Sequence, residues 1–327
     1  MANCADAPDS IPSDAGVAGV GVLLSFIATA AIAIVISTSL IFQETRGRAA
    51  HKSSVLQRKL LNAYSDQQIL TGIGIQSVGL AKINTMVSYH FFIIWMLSLL
   101  SMAVHNASLL ALVHDFRRDW VLRWLRQILI FVNLILSATY GILILRAVQE
   151  GVNTSTLPIA CVLQSHEEVP KGSSSTYALS IIGTIAVIAG NVIVFALATW
   201  YLHSRTQRFY KTIQIVGLVL MTAIGIGAIV RVSLLADAFT TPPINLNDHG
   251  ESQWSFGQLL SIGMLALPVV SIIEILRGEI KIAPPVADAG DDKTRLLSDN
   301  ELQSNPGDRY TFQPNPFFGS QTNLFKK

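Results

Sequence analysis

The chain has 327 residues, of which 51% are hydrophobic and 13% charged, against about 25% charged in an ordinary soluble domain. Its apolar residues come in blocks too long for a water-soluble core to bury. The formal net charge of only +2 argues against a nucleic-acid partner and leaves the lipid bilayer as the expected one.

A helix needs roughly 20 mostly apolar residues to cross a ~30 Å hydrocarbon core, and lipid offers no partner to an open strand edge. The composition therefore predicts an all-α membrane protein, a seven-transmembrane helix bundle. The expected spans are 16–42, 67–84, 86–113, 124–148, 177–202, 211–238 and 255–277. They divide the chain into an outer segment 1–15, a membrane domain 16–278 and a polar, disordered cytoplasmic tail 279–327.

The first segment carries Asp6, Asp9 and Asp14 but no Lys or Arg, so it lacks the basic region of a cleavable signal peptide. The first apolar block reads instead as an anchor with its N-terminus outside. Lys and Arg favour the cytoplasmic side of short loops. All but four of the 23 fall in alternate connections and the tail, the four being Lys82, Arg146, Lys171 and Arg231. That asymmetry predicts N-out and C-in. The plasma membrane or the vacuolar membrane is the expected location.

Between the first two spans, Val55, Leu56, Leu60 and Ala63 recur at helical spacing beside Arg58 and Lys59, which predicts a short surface helix. Ser65 with Gln68 resembles a capping box opening the second span. Cys4 and Cys161 are the only cysteines. Both fall on the expected outer side, where a disulfide persists, and they are expected to pair. Asn153-Thr154-Ser155 in the same outer loop is a glycosylation sequon, whereas Asn106-Ala107-Ser108 lies inside the third span and should stay unmodified. Small residues four apart, Ala186 with Gly190 and Ala223 with Gly227, are expected to let the fifth and sixth spans pack closely. Pro268 should kink the seventh. Trp120, Trp124, Trp200, Tyr201 and Tyr210 form an inner aromatic belt, with Trp254 at the outer end of the seventh span. In the tail, Asp292 before Leu296-Leu297 and Ser298 before Glu301 match common sorting and phosphorylation patterns that disordered tails contain by chance.

Ionisable and polar groups inside spans are the candidates for function. They are His90, His105 and Asn106 in the third span, Arg146 in the fourth, Arg231 in the sixth and Gln76 in the second, with the amides of Asn133 and Asn191. If Arg231 faces inward, it would join Arg146 and His90 around an outward cavity suited to an anion or a carbonyl compound; snorkelling to the headgroups is the competing reading. His105 and Asn106 are expected to bridge helices. No Asp or Glu lies deep in a span: Asp237 is at an outer end, and Glu274 sits one turn from Arg277 at an inner end. That absence weighs against proton relays and against cyclases that protonate a hydrophobic substrate. No metal-ligand cluster or cofactor motif is present, so no metal or cofactor is expected.

The strings NCADAPD, DAGVAGVGV, SDQQILTGIGI, VSYHF and HNASLLALVHDFRRDW resemble a group of multipass membrane proteins of filamentous ascomycete fungi. The likeness runs from about residue 3 to 150 and implies a seven-helix fold and a fungal source, with Asp66, Gln67, Gln68, His90 and His105 as positions that matter to the architecture. The plan also looks like that of a G-protein-coupled receptor, with Asp115, Arg117 and Arg118 at the inner end of the third span in the place of an acidic-Arg motif. The Asn-Pro-x-x-Tyr and Cys-Trp-x-Pro motifs of such receptors are missing.

Two functions follow from the sequence. The first is a non-enzymatic, receptor-like sensor of a small molecule from the outer side, with inner loops and tail available to a cytoplasmic partner. The alternative is a membrane enzyme, for example terpenoid cyclase-like, or an exporter in a fungal secondary-metabolite pathway.

Overall fold

The structure is a computed structural model, and it describes Cys4, Pro8 and residues 10–46, 52–118, 120–148, 156–164, 174–203, 209–240, 246–248 and 250–277. Asn153, the tail and its two short patterns lie outside the described residues, as do the side chains of Arg117, Arg118, Trp120 and Glu274. The described helices are α1 (Val20–Thr45), α2 (Lys52–Ala81), α3 (Ser88–Ala111), the short α4 (Val113–Arg118), α5 (Trp120–Val148), the short α6 (Ile159–Val162), α7 (Ser174–His203), α8 (Tyr210–Leu235), α9 (Phe256–Met264) and α10 (Leu267–Leu276). Among the described residues the only extended pairing is two isolated bridges.

Five helical segments are long and apolar enough to cross a membrane: Val20–Thr45, Ser88–Ala111, Arg123–Ala147, Ser180–His203 and Tyr210–Leu235. α5, α7 and α8 expose many of their large apolar side chains, Ile128, Ile193 and Val219 among them, as a face toward lipid requires. Trp124, Trp200 and Trp254 are likewise exposed.

α3 is the axis. It is largely apolar and nearly every residue is buried, the polar ones included, as in a helix surrounded by others. It packs against α1, α2, α5, α7 and α8.

α2 differs from its expectation in two ways. It is one continuous helix of 30 residues, so the sequence 52–66 is no separate surface helix. No Gly or Pro interrupts it before Gly72, and Leu61 and Tyr64 are buried against the bundle. Ser65 therefore caps nothing. It lies mid-helix, fully buried, with its Oγ 3.0 Å from Ser108 Oγ.

The region expected as a kinked seventh span is broken outright. α9 ends at Met264 and α10 starts at Leu267, because Pro268 has no N–H for the Met264 carbonyl and its ring crowds that oxygen. On α8, Gly217 faces Leu110 of α3, and Gly225 faces Ile34 of α1 and Ala103 of α3. Ala223 and Gly227 are exposed, so the expected close approach through them is not made. Gly190 of α7 does face Leu220 and Ile224 of α8.

Gly72 fixes how closely α2 approaches α3: a Cβ there would collide with the Ser101 side chain and come within 3.3 Å of Asn133 Oδ1. At Gly74, two residues on, a Cβ meets nothing within 4 Å. Gly72→Ala is thus expected to lower the thermal midpoint of the detergent-solubilised protein. Gly74→Ala is expected to raise stability by about 0.5–1 kcal/mol through helix propensity alone. Fluorescence-monitored thermal unfolding of the two variants checks the pair.

Candidate functional site

Four segments meet at the end of the bundle where α1 begins. Cys4 is disulfide-bonded to Cys161 of α6, with Cα atoms 5.5 Å apart. Residues 156–162 are stitched to the α2–α3 turn by Ile159 N–H to Met86 O (2.9 Å) and Ala160 N–H to Ile83 O (3.2 Å). The N-terminal segment meets the stretch before α9 through Asn247 N–H to Ile11 O at 2.8 Å. Lys82 reaches Asp14 at 2.8 Å.

At the centre of this assembly is Glu251, a fully buried carboxylate from the connection between α8 and α9. Its Oε1 lies 2.6 Å from His90 Nε2 and accepts from Asp14 N–H at 3.4 Å. Its Oε2 accepts the Tyr89 hydroxyl at 3.0 Å, and that hydroxyl accepts in turn from Asp237 N–H at 2.9 Å. The main chain takes part as well: Val20 N–H donates to Glu251 O at 3.0 Å and Gly21 N–H to Gln258 Oε1 at 3.3 Å. Those are two of the N–H groups that α1 cannot satisfy from within.

A second polar system runs down the α2–α3–α5 seam. Gln76 Nε2 donates to Asn133 Oδ1 (2.6 Å), and Asn133 Nδ2 to Ser101 Oγ (3.1 Å). Ser101 Oγ lies 2.9 Å from His105 Nε2, whose Nδ1 lies 3.4 Å from Ser65 Oγ. Both imidazole nitrogens are thus engaged. These bonds tie α2, α3 and α5 to one another. Asn106 bridges separately to Asn191 Oδ1 of α7 at 3.3 Å and to Met221 of α8.

At the opposite end, Asp115 pairs with Arg58 of α2 at 2.9 Å, and Arg126 of α5 reaches Asn62 and Asp66. These contacts tie the polar first half of α2 to α4 and α5.

A cavity of about 390 Å³ lies between α1, α2 and α9, beneath the Lys82–Asp14 pair. Val22 and Phe26 of α1, Ile75 and Val78 of α2 and Met264 of α9 form its apolar wall. Gln67 and Gln68 supply its polar side, and each has a buried Oε1 without a hydrogen-bond partner.

The residues singled out in the sequence fall into separate places. His90, His105, Asn106 and Gln76 are buried, in the contacts just described, while Arg146 and Arg231 are exposed on α5 and α8. None of the six lines the cavity. Gln67 and Gln68 do, whereas Glu251 was not among the sequence candidates. It lies outside every apolar block, and pattern reading along helices passes over it. Among the described residues no group of three or more His, Cys, Asp or Glu side chains is arranged to hold a metal ion.

Removing the carboxylate takes the acceptor away from the buried Tyr89 hydroxyl and the Asp14 N–H, and the Nε2 partner away from buried His90. Glu251→Ala is therefore expected to destabilise the protein by about 3–5 kcal/mol, the range for breaking one side of a buried pair. A thermal-unfolding double-mutant cycle with Tyr89→Phe should return a coupling of about 0.5–3 kcal/mol. No protein-family model, curated protein or solved structure matches the chain.

Proposed function

We propose that this is a seven-span membrane protein, N-terminus outside and tail inside, that holds a small molecule in the α1–α2–α9 cavity and acts as a receptor-like sensor. The observation that carries the reading is the cavity: about 390 Å³, within the range of small-molecule sites, with an apolar wall and two unpartnered amide oxygens. Its lining reaches Asp14, Val17 and Lys82, at the end of the bundle that charge asymmetry assigns to the exterior. Lys82–Asp14 closes over it, and Asp14 also donates its N–H to Glu251. A molecule that shifts Asp14 thereby acts on the contact joining the N-terminal segment to α3. The strings shared with fungal multipass proteins support a place in that group.

Glu251 lends the enzyme reading one specific observation, since a buried carboxylate beside an imidazole is what general acid–base chemistry uses. Both of its oxygens are taken by Asp14, Tyr89 and His90, and none of Glu251, Tyr89 and His90 lines the cavity. The sensor reading is the better supported.

Native mass spectrometry of the full chain released from mild detergent should reveal a bound small molecule. Gly74→Phe, which puts a ring at a cavity-lining position with open space around it, should lose it, while Gly183→Phe on α7, equally open, should keep it. Equal occupancy in both variants would sink the assignment. In Glu251→Gln the bound mass should be unchanged; a different, precursor-like mass would favour an enzyme.

For the topology, an impermeant maleimide on intact cells should label Trp254→Cys, and Phe209→Cys only after permeabilisation. Both residues are exposed, Phe209 just before α8 and Trp254 just before α9. The reverse pattern would invert the orientation.

A further inference from the structure

Resting on the sensor reading, we infer that the cavity between α1, α2 and α9 is selective for an uncharged amphipathic alcohol, a molecule with an apolar body and a hydroxyl that donates to Gln67 and Gln68. Every side-chain hydroxyl that α1 and α2 present to the cavity is already spent on its own helix. Ser25 donates to Val22 O at 2.8 Å, Thr29 to Ser25 O at 2.7 Å and Thr71 to Gln67 O at 2.9 Å. Gln68, buried to 2% exposure, commits its Nε2 to Phe26 O at 3.4 Å. That bond fixes which end of the amide is the nitrogen, because a carbonyl needs a donor. The buried polar atoms that α1 and α2 leave unpartnered in the cavity lining are both acceptors, Gln67 Oε1 and Gln68 Oε1.

An unpaired buried acceptor costs free energy that a donor recovers, so the occupant brings the proton. An anion finds no such complement here. The cavity's one ammonium, Lys82, is held by Asp14 at 2.8 Å, and the two unpartnered carbonyl oxygens repel negative charge. A cation fares little better, since burying it calls for a counter-charge and the Asp14 carboxylate is engaged. Val22, Phe26, Ile75, Val78 and Met264 accommodate a hydrocarbon body. The outward basic pocket expected from Arg146, Arg231 and His90 would have selected the opposite chemistry.

The test is photolabelling of the full chain in lipid nanodiscs with a diazirine-bearing decanol, mapped by peptide mass spectrometry. Labels are expected on α1, α2 or α9 segments that line the cavity. Decanol should compete about tenfold better than its methyl ether, the ratio one good hydrogen bond supplies, and better than decanoate or decylamine. Gln68→Leu keeps the volume and removes the acceptor, and should abolish the preference for alcohol over ether. Should that variant not fold, Gln67→Leu makes the same comparison. Cavity labelling with ether, carboxylate or amine competing as well as the alcohol would overturn the ligand class and leave the sensor site standing. Labelling confined to the lipid-facing surfaces of α5, α7 and α8 would overturn both.

Discussion

A carboxylate withdrawn from water costs several kcal/mol unless its lone pairs find donors, and that constraint organises one end of this molecule. Glu251 obtains its donors from two places far apart in sequence: the N-terminal segment through Asp14, and the first turn of α3 through Tyr89 and His90. Its carbonyl meanwhile takes Val20 N–H at the start of α1. One residue thus sets the relative positions of α1, α3 and the connection into α9. The Cys4–Cys161 bond and the Lys82–Asp14 pair surround the same point, and the cavity opens beneath it.

The rest of the bundle follows from α3. A helix surrounded on all sides cannot rely on an apolar-versus-water contrast to select its neighbours, since lipid is as apolar as leucine. Its specificity comes from close approach and from polar side chains that would otherwise be unsatisfied. Gly72 admits Ser101, and Gly217 admits Leu110. The Gln76–Asn133–Ser101–His105–Ser65 series gives α2, α3 and α5 one register, and Asn106 with Asn191 does the same for α7.

Much of this was legible in the sequence, and the misses have physical causes. Apolar block length located the long helices, and two cysteines on one expected face foretold their bond. His105 and Asn106 were readable as bridging residues because a polar group inside an apolar run must find a partner. The extent of α2 was not readable: its first half is polar enough to look like a surface segment, and only its packing against α4 and α5 through Arg58 and Arg126 reveals it as part of the bundle. Glu251 was invisible for a related reason. Depth was inferred from membership of an apolar block, whereas a connection that folds back over the helix ends buries its residues without any such signature. Arg146 and Arg231 show the converse, being inside apolar blocks and yet exposed. Gln67 appeared only within a string that resembles other proteins and Gln68 also as half of an expected capping box, and nothing in their spacing foretold a cavity.

The position of Glu251 in the chain also bears on synthesis. The N-terminal turn of α1 and the Tyr89–His90 pair are made early, and their partner is translated only after α8. Until the ribosome has passed residue 251, the beginning of the molecule carries buried-type polar groups with nothing to satisfy them. A chain cut short before that point keeps its long apolar helices and exposes this unmet demand. The last quarter of the polypeptide therefore completes the hydrogen bonding of the first.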